Sequence, residues 1–372
     1  MRNERRTWGS LPIAVRRCGS KLNLIPMKSL WFIIIVSLCW GCSRSGSPSD
    51  IDFSRLPYKT LSEYGLFTGP LKNLSEAAGV TPYEPIASLF TDYAFKKRYV
   101  WMPENTQATL PDDPDASLDF PDKTILIKHF YYPLDFRKPE GEKRIIETRL
   151  LVKNKGAWQA YPYLWNNEQT EATLKNTGAS VPVEYTNENG EKVAFHYTMP
   201  QKTQCRSCHN KDGVMLPIGP KGKQLAGQLE KWQAAGKLEK DQDLQAVRAL
   251  VNPFDTSRPL ADRARAYLDV NCGHCHSQKG PASTSGLYYN AEENRDFHLG
   301  VWKSPVAAGM GGGGFKFDIY PGRSKESIVT HRMNSTHPGV MMPEIGRVTI
   351  HKEGVELIAE WIDSLTPAGK PD

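Results

Sequence analysis

The sequence predicts an α+β protein of more than one domain: a β-rich, sandwich- or jelly-roll-like domain over residues 56–204, then an all-α domain over 258–372. Three observations predict it. Short apolar runs rich in β-branched and aromatic residues recur between Leu56 and Pro200, divided by turn residues. Apolar residues then return at helical spacing near both ends of 258–372. A length of 372 residues, 39% hydrophobic and 24% charged, suits two globular domains rather than a disordered or polytopic chain.

In the β-rich part, Thr124–Tyr131, Arg144–Val152 and Trp158–Trp165 read as strands. Val181–Thr186 and Lys192–Tyr197 flank Asn189-Gly190, a hairpin signal. Residues 205–257 form a connection, of which 217–257 reads as a helical linker with polar faces; Leu225, Leu229 and Trp232 make one amphipathic side. In the all-α part, Pro259 suits a first helical turn and Ser257 its cap, with Leu260, Ala264, Tyr267 and Leu268 on one face. A closing helix over Gly354–Leu365 carries Val355, Ile358, Ile362 and Leu365 at helical spacing, with Trp361 beside them. The glycine run Gly309–Gly314 marks a loop, either a flexible surface loop or a place where backbone approaches a bound group.

The first 41 residues read as a signal segment. Met27-Lys28-Ser29 and the run LWFIIIVSLCW give a short basic stretch and an apolar stretch of about a dozen residues, against roughly 20 needed to span a bilayer. Met27 offers an alternative start, with residues 1–26 an upstream extension. Gly41-Cys42 resembles a bacterial lipoprotein cleavage site, with Cys42 the acylated residue and 42–55 a polar tether. Cys39 departs from that pattern, which usually has Leu there; Ser43 is the residue that favours sorting to the outer membrane. A plain secretory signal or an uncleaved anchor are the other readings. The charge agrees with a leader: these 41 residues hold seven of the 47 basic groups and one of the 41 acidic groups, leaving 40 of each beyond them. The net charge of +6 therefore gives no reason to expect a nucleic-acid partner.

Four of the seven cysteines form two pairs, in Cys205-Arg206-Ser207-Cys208-His209 and Cys272-Gly273-His274-Cys275-His276. Both are C-x-x-C-H, the c-type haem attachment motif. Two thiols one turn apart reach the two vinyl groups on one porphyrin edge, and the following His lies under the iron. With 7 Cys and 9 His in 372 residues, chance yields roughly 0.003 such matches. A four-cysteine zinc site gives no reason for a His after each pair, and a redox dithiol none for duplication. The expectation is two covalently bound haem c groups, held by Cys205, Cys208, Cys272 and Cys275, with His209 and His276 as iron ligands.

The second motif, between the two predicted helices, sits in a cytochrome c-like unit. Downstream, Met342-Pro343 in GVMMPEIGR matches the distal-ligand segment of many bacterial class I cytochromes, which makes Met342 the expected ligand and Met341 its alternative. His/Met ligation raises the reduction potential relative to bis-His. The first motif follows an extended stretch, and its distal ligand stays open among His129, His196, Met199, Met215, Met310, Met333, His331 and a vacant position. Arg323, Arg332 and Arg347 are candidate partners for haem propionates.

The runs PYEPIASLFTDYAFKKRYVWMP, FPDKTILIKHFYYP, YLWNNEQTEA, MPQKTQCRSCH, PVAAGMGGGG, YPGRSKESIVTHRM and MMPEIGR resemble a bacterial family of dihaem c-type cytochromes over nearly the whole chain beyond the tether. The resemblance implies a periplasm-facing electron-transfer role with donor and acceptor unassigned; with the lipoprotein-like start, the expectation is a lipid-anchored relay of single electrons between redox proteins at the membrane. The rival expectation is an enzyme of the dihaem peroxidase or oxidase type, with the reactive position on the first haem. A redox sensor, with the β domain as ligand-binding module, is a third.

Overall fold

A computed structural model describes residues 46–366. The signal segment, Met27, Cys42 and the start of the tether lie outside the described residues. The tether is shorter than expected, because Ile51 and Phe53 pack on the core and Asn154 Nδ2 donates to the Phe53 carbonyl at 3.0 Å. Among the described residues no helix is long and apolar enough to cross a membrane.

The chain is a mixture of sheet and helix, with the sheet in the N-terminal part. Six antiparallel strands follow one another in sequence order: β1 Val80–Pro82, β2 Phe95–Trp101, β3 Ile125–Pro133, β4 Lys143–Asn154, β5 Ala157–Trp165 and β6 Ala172–Leu174. That order is a meander and corrects the jelly-roll expectation. Short connections dictate it: β4 turns into β5 through Lys155 and Gly156, both left-handed (φ 53° and 75°), the twist-matched two-residue turn. A separate hairpin, β7 Ala179–Thr186 and β8 Lys192–Met199, turns at 187–191, where the Asn187 carboxamide accepts from the Asn189 and Glu191 amides.

The period of two sorts the sheet into unlike faces. One buries Tyr99, Ile125, Ile127, Leu150, Val152, Tyr161 and Tyr163 in a single core. The other is divided. At one end Val100, Leu126 and Trp158 pack under α2 Gly222–Leu225 and α3 Leu229–Ala234; at the other, Phe130, Tyr132 and Ile146 pack under the β7–β8 hairpin. The stretch read as a polar linker is thus part of the sheet's core: Leu225, Leu229 and Trp232 are buried there. Gly227 and Gly236, with φ of 82° and 66°, break it into short helices.

The C-terminal part is built on α4 Leu260–Leu268, α5 Asp296–Leu299, α6 Ile328–Met333 and α7 Lys352–Ser364, joined by long irregular stretches. Pro259 is the residue before α4 and stays extended (φ −53°, ψ 140°), while the Ser257 hydroxyl turns back to Asp255, so Ser257 is no cap. Ala264, Tyr267 and Leu268 pack against Leu357, Ile358, Trp361 and Ile362 as their spacing predicts. Gly354 lets α7 approach α4, since a Cβ there would overlap the Tyr267 ring.

The described residues form one contact unit. Asp92 accepts from the Val348 and Thr349 amides and the Thr349 hydroxyl, each at 2.8 Å. The buried Lys223 ammonium reaches Asp115 and Asp269 at 2.5 Å and Glu292 at 3.0 Å. Expensive desolvation is tolerable there because each charge has an opposite partner.

Candidate functional site

Both C-x-x-C-H segments fold as one tight turn, which sets the cysteines three apart on one side and the histidine one residue further. In the first, α1 Cys205–Cys208 closes with the His209 amide on the Cys205 carbonyl at 2.9 Å. In the second, the His276 amide bonds the Cys272 carbonyl at 2.8 Å. Their entries differ. Strand β8, Pro200 and one 3-10 turn, Lys202–Gln204, lead into the first, whereas α4 runs through a π-type turn, Asp269–Gly273, directly into the second. All four thiols are free.

The two imidazoles are oriented alike by different acceptors. His209 Nδ1 lies 3.0 Å from the Leu216 carbonyl, so it must carry the proton and leave the Nε2 lone pair free. His276 Nδ1 lies 3.2 Å from the Ser285 hydroxyl, whose own proton goes to the Ala282 carbonyl at 2.7 Å. Burial pushes His209 down to about 4, the Leu216 bond opposing it; burial and then His274, Arg332 and Lys303 bring His276 to about 4. Both rings are neutral at neutral pH, as iron ligation requires. Neither Nε2 has a hydrogen-bond partner among the described residues.

Although 67 residues apart in sequence, the two turns touch. The Cys275 thiol points to the Ser207 carbonyl at 3.9 Å, and Cys208 Sγ, Cys275 Sγ and a ring nitrogen of His274 all lie within 4.8 Å of one another. The neighbouring Cys275 thiol and His274 hold the Cys208 thiol below its ordinary range, while Cys208 and burial drive Cys275 up. Burial pushes Cys272 up to about 12.

One cavity of about 670 Å³ runs along both turns. Its wall includes all four cysteines, His209, His274 and His276, the Met342-Pro343 segment, and the divided face of the sheet. Free thiols, uncommitted imidazole nitrogens and a long wall fit a large planar group with thiol-reactive edges. The Cys208–His274–Cys275 contact alone could hold a thiophilic ion, but that set leaves Cys205, Cys272, His209 and His276 without a role.

Of the two sulfurs nominated downstream, Met342 lines the cavity and Met341 does not, being buried elsewhere. The candidates for the first site scatter. His129 lies on the far face of the sheet, between Phe67 and Tyr99, with Nδ1 on Thr148 Oγ1 at 2.6 Å. His196 is exposed on the hairpin, Met199 is buried beneath it, and Met215 packs against α3's cluster. Met310 is exposed and His331 meets Phe315 edge-to-face. Only Met333 reaches the cavity, and it belongs to the core around the second turn.

The arginines also divide. Arg323 pairs with Glu326 at the surface. Arg332 and Arg347 both line the cavity, but Arg347 spends its guanidinium on backbone, donating to the carbonyls of Thr349, Ser335 and Met342 at 2.9–3.0 Å. It is a staple for the Met342 segment. The glycine run does not line the cavity; Gly311 and Gly313 are there because a Cβ would strike Arg332 and His331.

Sequence reading missed the cavity's cationic floor. Arg98, Lys128 and Arg149 line it from three adjacent strands. The signal was available: Lys128 sits between Leu126 and Phe130 on a face that is otherwise buried. Comparison with protein-family models, curated proteins and solved structures gives no match.

Proposed function

We propose that the protein is an exported dihaem c-type cytochrome, anchored by a lipid on Cys42 to the outer membrane, that relays single electrons between redox proteins facing the periplasm. The observation that carries the reading is the pair of C-x-x-C-H turns on one cavity, each with free thiols and a neutral histidine whose Nε2 is uncommitted. Cys205 and Cys208 hold one haem and Cys272 and Cys275 the other, with His209 and His276 as proximal ligands. Haem iron supplies the one-electron couple. Met342 is the distal ligand of the second haem, its segment kept in place by Arg347. Helix α4 leading into a motif and α7 packed across it at Gly354 support a cytochrome c-like reading of the C-terminal part. Contact between the turns supports rapid exchange between the haems.

A second reading, a dihaem enzyme of the peroxidase type, is favoured by one observation. The nominated methionines and histidines of the first site, Met333 apart, lie away from the cavity, and the wall beside His209 carries Lys128 and Arg149. Mass spectrometry of the mature protein tests the shared premise: two covalent haems are expected, and bound zinc without haem refutes both readings. The reduced absorption spectrum with and without carbon monoxide then divides them. No change supports the relay; a change in about half the haem places an open iron in the protein and supports the enzyme.

A further inference from the structure

Arg98, Lys128 and Arg149 are direct cross-strand neighbours, Arg98 opposite Lys128 and Lys128 opposite Arg149. Three basic side chains therefore stand in one row across β2, β3 and β4, where opposed like charges repel; burial and then Arg98, Lys96 and Arg149 hold the Lys128 ammonium well below its ordinary range, and an anion among them would restore its charge. The row forms part of the cavity wall, and its fourth member is Pro162 on β5, which brings no charge. Lys96, two residues before Arg98, adds a further basic group on the same face, lowered to about 7 by burial and then by Arg98. The resident compensation is small. Glu147 binds Arg149, at 2.5 and 3.0 Å, and also accepts from the Tyr197 hydroxyl. Arg98 is 8% exposed and has one neutral contact, the Ser88 hydroxyl at 3.1 Å. Lys128 rests over the Phe130 ring at 4.8 Å and has no hydrogen bond or ion pair among the described residues. Aliphatic neighbours Leu126, Leu151 and Ala160 close the row on one side, so water screens it poorly.

We infer that this row is an anion-binding site, built for a carboxylate-sized group lying in the cavity beside the Cys205–His209 turn. The row and the cavity carry the site by themselves. Its anion has two sources: the propionates of a haem on that turn, which rests on the reading above, or a free small carboxylate or oxyanion. Charge, rather than shape, is the recognition principle, since Lys128 supplies a point charge and Arg98 a planar fork.

The test replaces one charge without changing length. In the purified full-length protein, Lys128→Met is compared with Lys128→Arg, and with Lys192→Met on the exposed hairpin as a control. Thermal midpoints are read in chloride and in sodium formate at equal ionic strength. A resident propionate predicts a lower midpoint for Lys128→Met in chloride, restored in Lys128→Arg, and a lower reduction potential at one centre only. A free anion predicts that formate raises the midpoint of the parent protein and of Lys128→Arg, but not of Lys128→Met. If no anion is bound, removing Lys128 relieves repulsion, so a midpoint that is unchanged or higher, with no formate effect, overturns the inference. Counting haems by intact mass on the same samples separates failure of this site from failure of the haem reading.

Discussion

The two C-x-x-C-H turns share one local geometry and sit in opposite surroundings. The first enters from a strand, hangs its histidine on a backbone carbonyl, and faces a sheet carrying Lys128 and Arg149. The second enters from a helix, hangs its histidine on a side-chain hydroxyl, and is backed by a helical core with Met342 in reach of the same cavity. A pentapeptide thus specifies the local turn and its set of thiols and imidazole, and little else. What tunes each site is the wall opposite, and the walls come from different parts of the chain.

The largest expected effect falls on what joins the two. Lys223→Met strands the carboxylate of Asp269, in the turn that leads into the second motif, and leaves Asp115 only Lys221 at 3.6 Å. A loss of about 3–5 kcal/mol in chemical denaturation is expected. The same network gives a pH signature. Burial raises the Asp115 carboxyl, but Lys221 and Lys223 outweigh it and hold it below its ordinary 3.8. Its folded pKa is depressed, so its stabilisation is complete above the unfolded value of 3.8 and is lost as the pH falls from there through the lower folded value. In Lys223→Met that acid loss shrinks.

Gly354→Ala strikes the second site alone. The added Cβ overlaps Tyr267, and an overpacking penalty of about 1–3 kcal/mol follows. On the proposed dihaem reading, perturbation of one haem's spectrum is expected; equal perturbation of both would erase the contrast between the sites.

His351 sharpens the contrast through pH. It stacks on Phe90 at 4.2 Å and lies 3.0 Å from the Tyr267 hydroxyl; burial, opposed by Glu353, lowers it from 6.5 to about 4. Between those values the unfolded chain binds the extra proton, so stability rises with pH across the window 4 to 6.5. His351→Phe should reduce that slope by up to about 1.4 kcal/mol per pH unit.

The smallest effect is the most selective. Ser285→Ala removes the acceptor of His276 Nδ1, a change of about 1 kcal/mol. Its readout is the potential of the second centre, with the first unmoved. Met342→Ala should likewise alter one spectrum; if neither changes, Met341 or another group is the ligand.

Much of this molecule was legible in its sequence for local reasons. Strands β3, β4 and β5 and both hairpin strands follow from alternation, and α4 and α7 from helical spacing, because each of these patterns is complete within a dozen residues. The two motifs are equally local. What the sequence left open needed long-range pairing. Polar spacing made 217–257 look like a linker, yet Leu225 and Trp232 find their partners on strands more than 60 residues earlier. His129 is one of several candidate ligands in the sequence, and the pleat places it on the far face. The contact between Cys208 and Cys275, the reach of Met342, and the row Arg98–Lys128–Arg149 exist only once strand register and the packing of α4 on α7 are set. Spacing determines which atoms a turn presents, but only the tertiary fold decides what they meet, because charge and burial act through space.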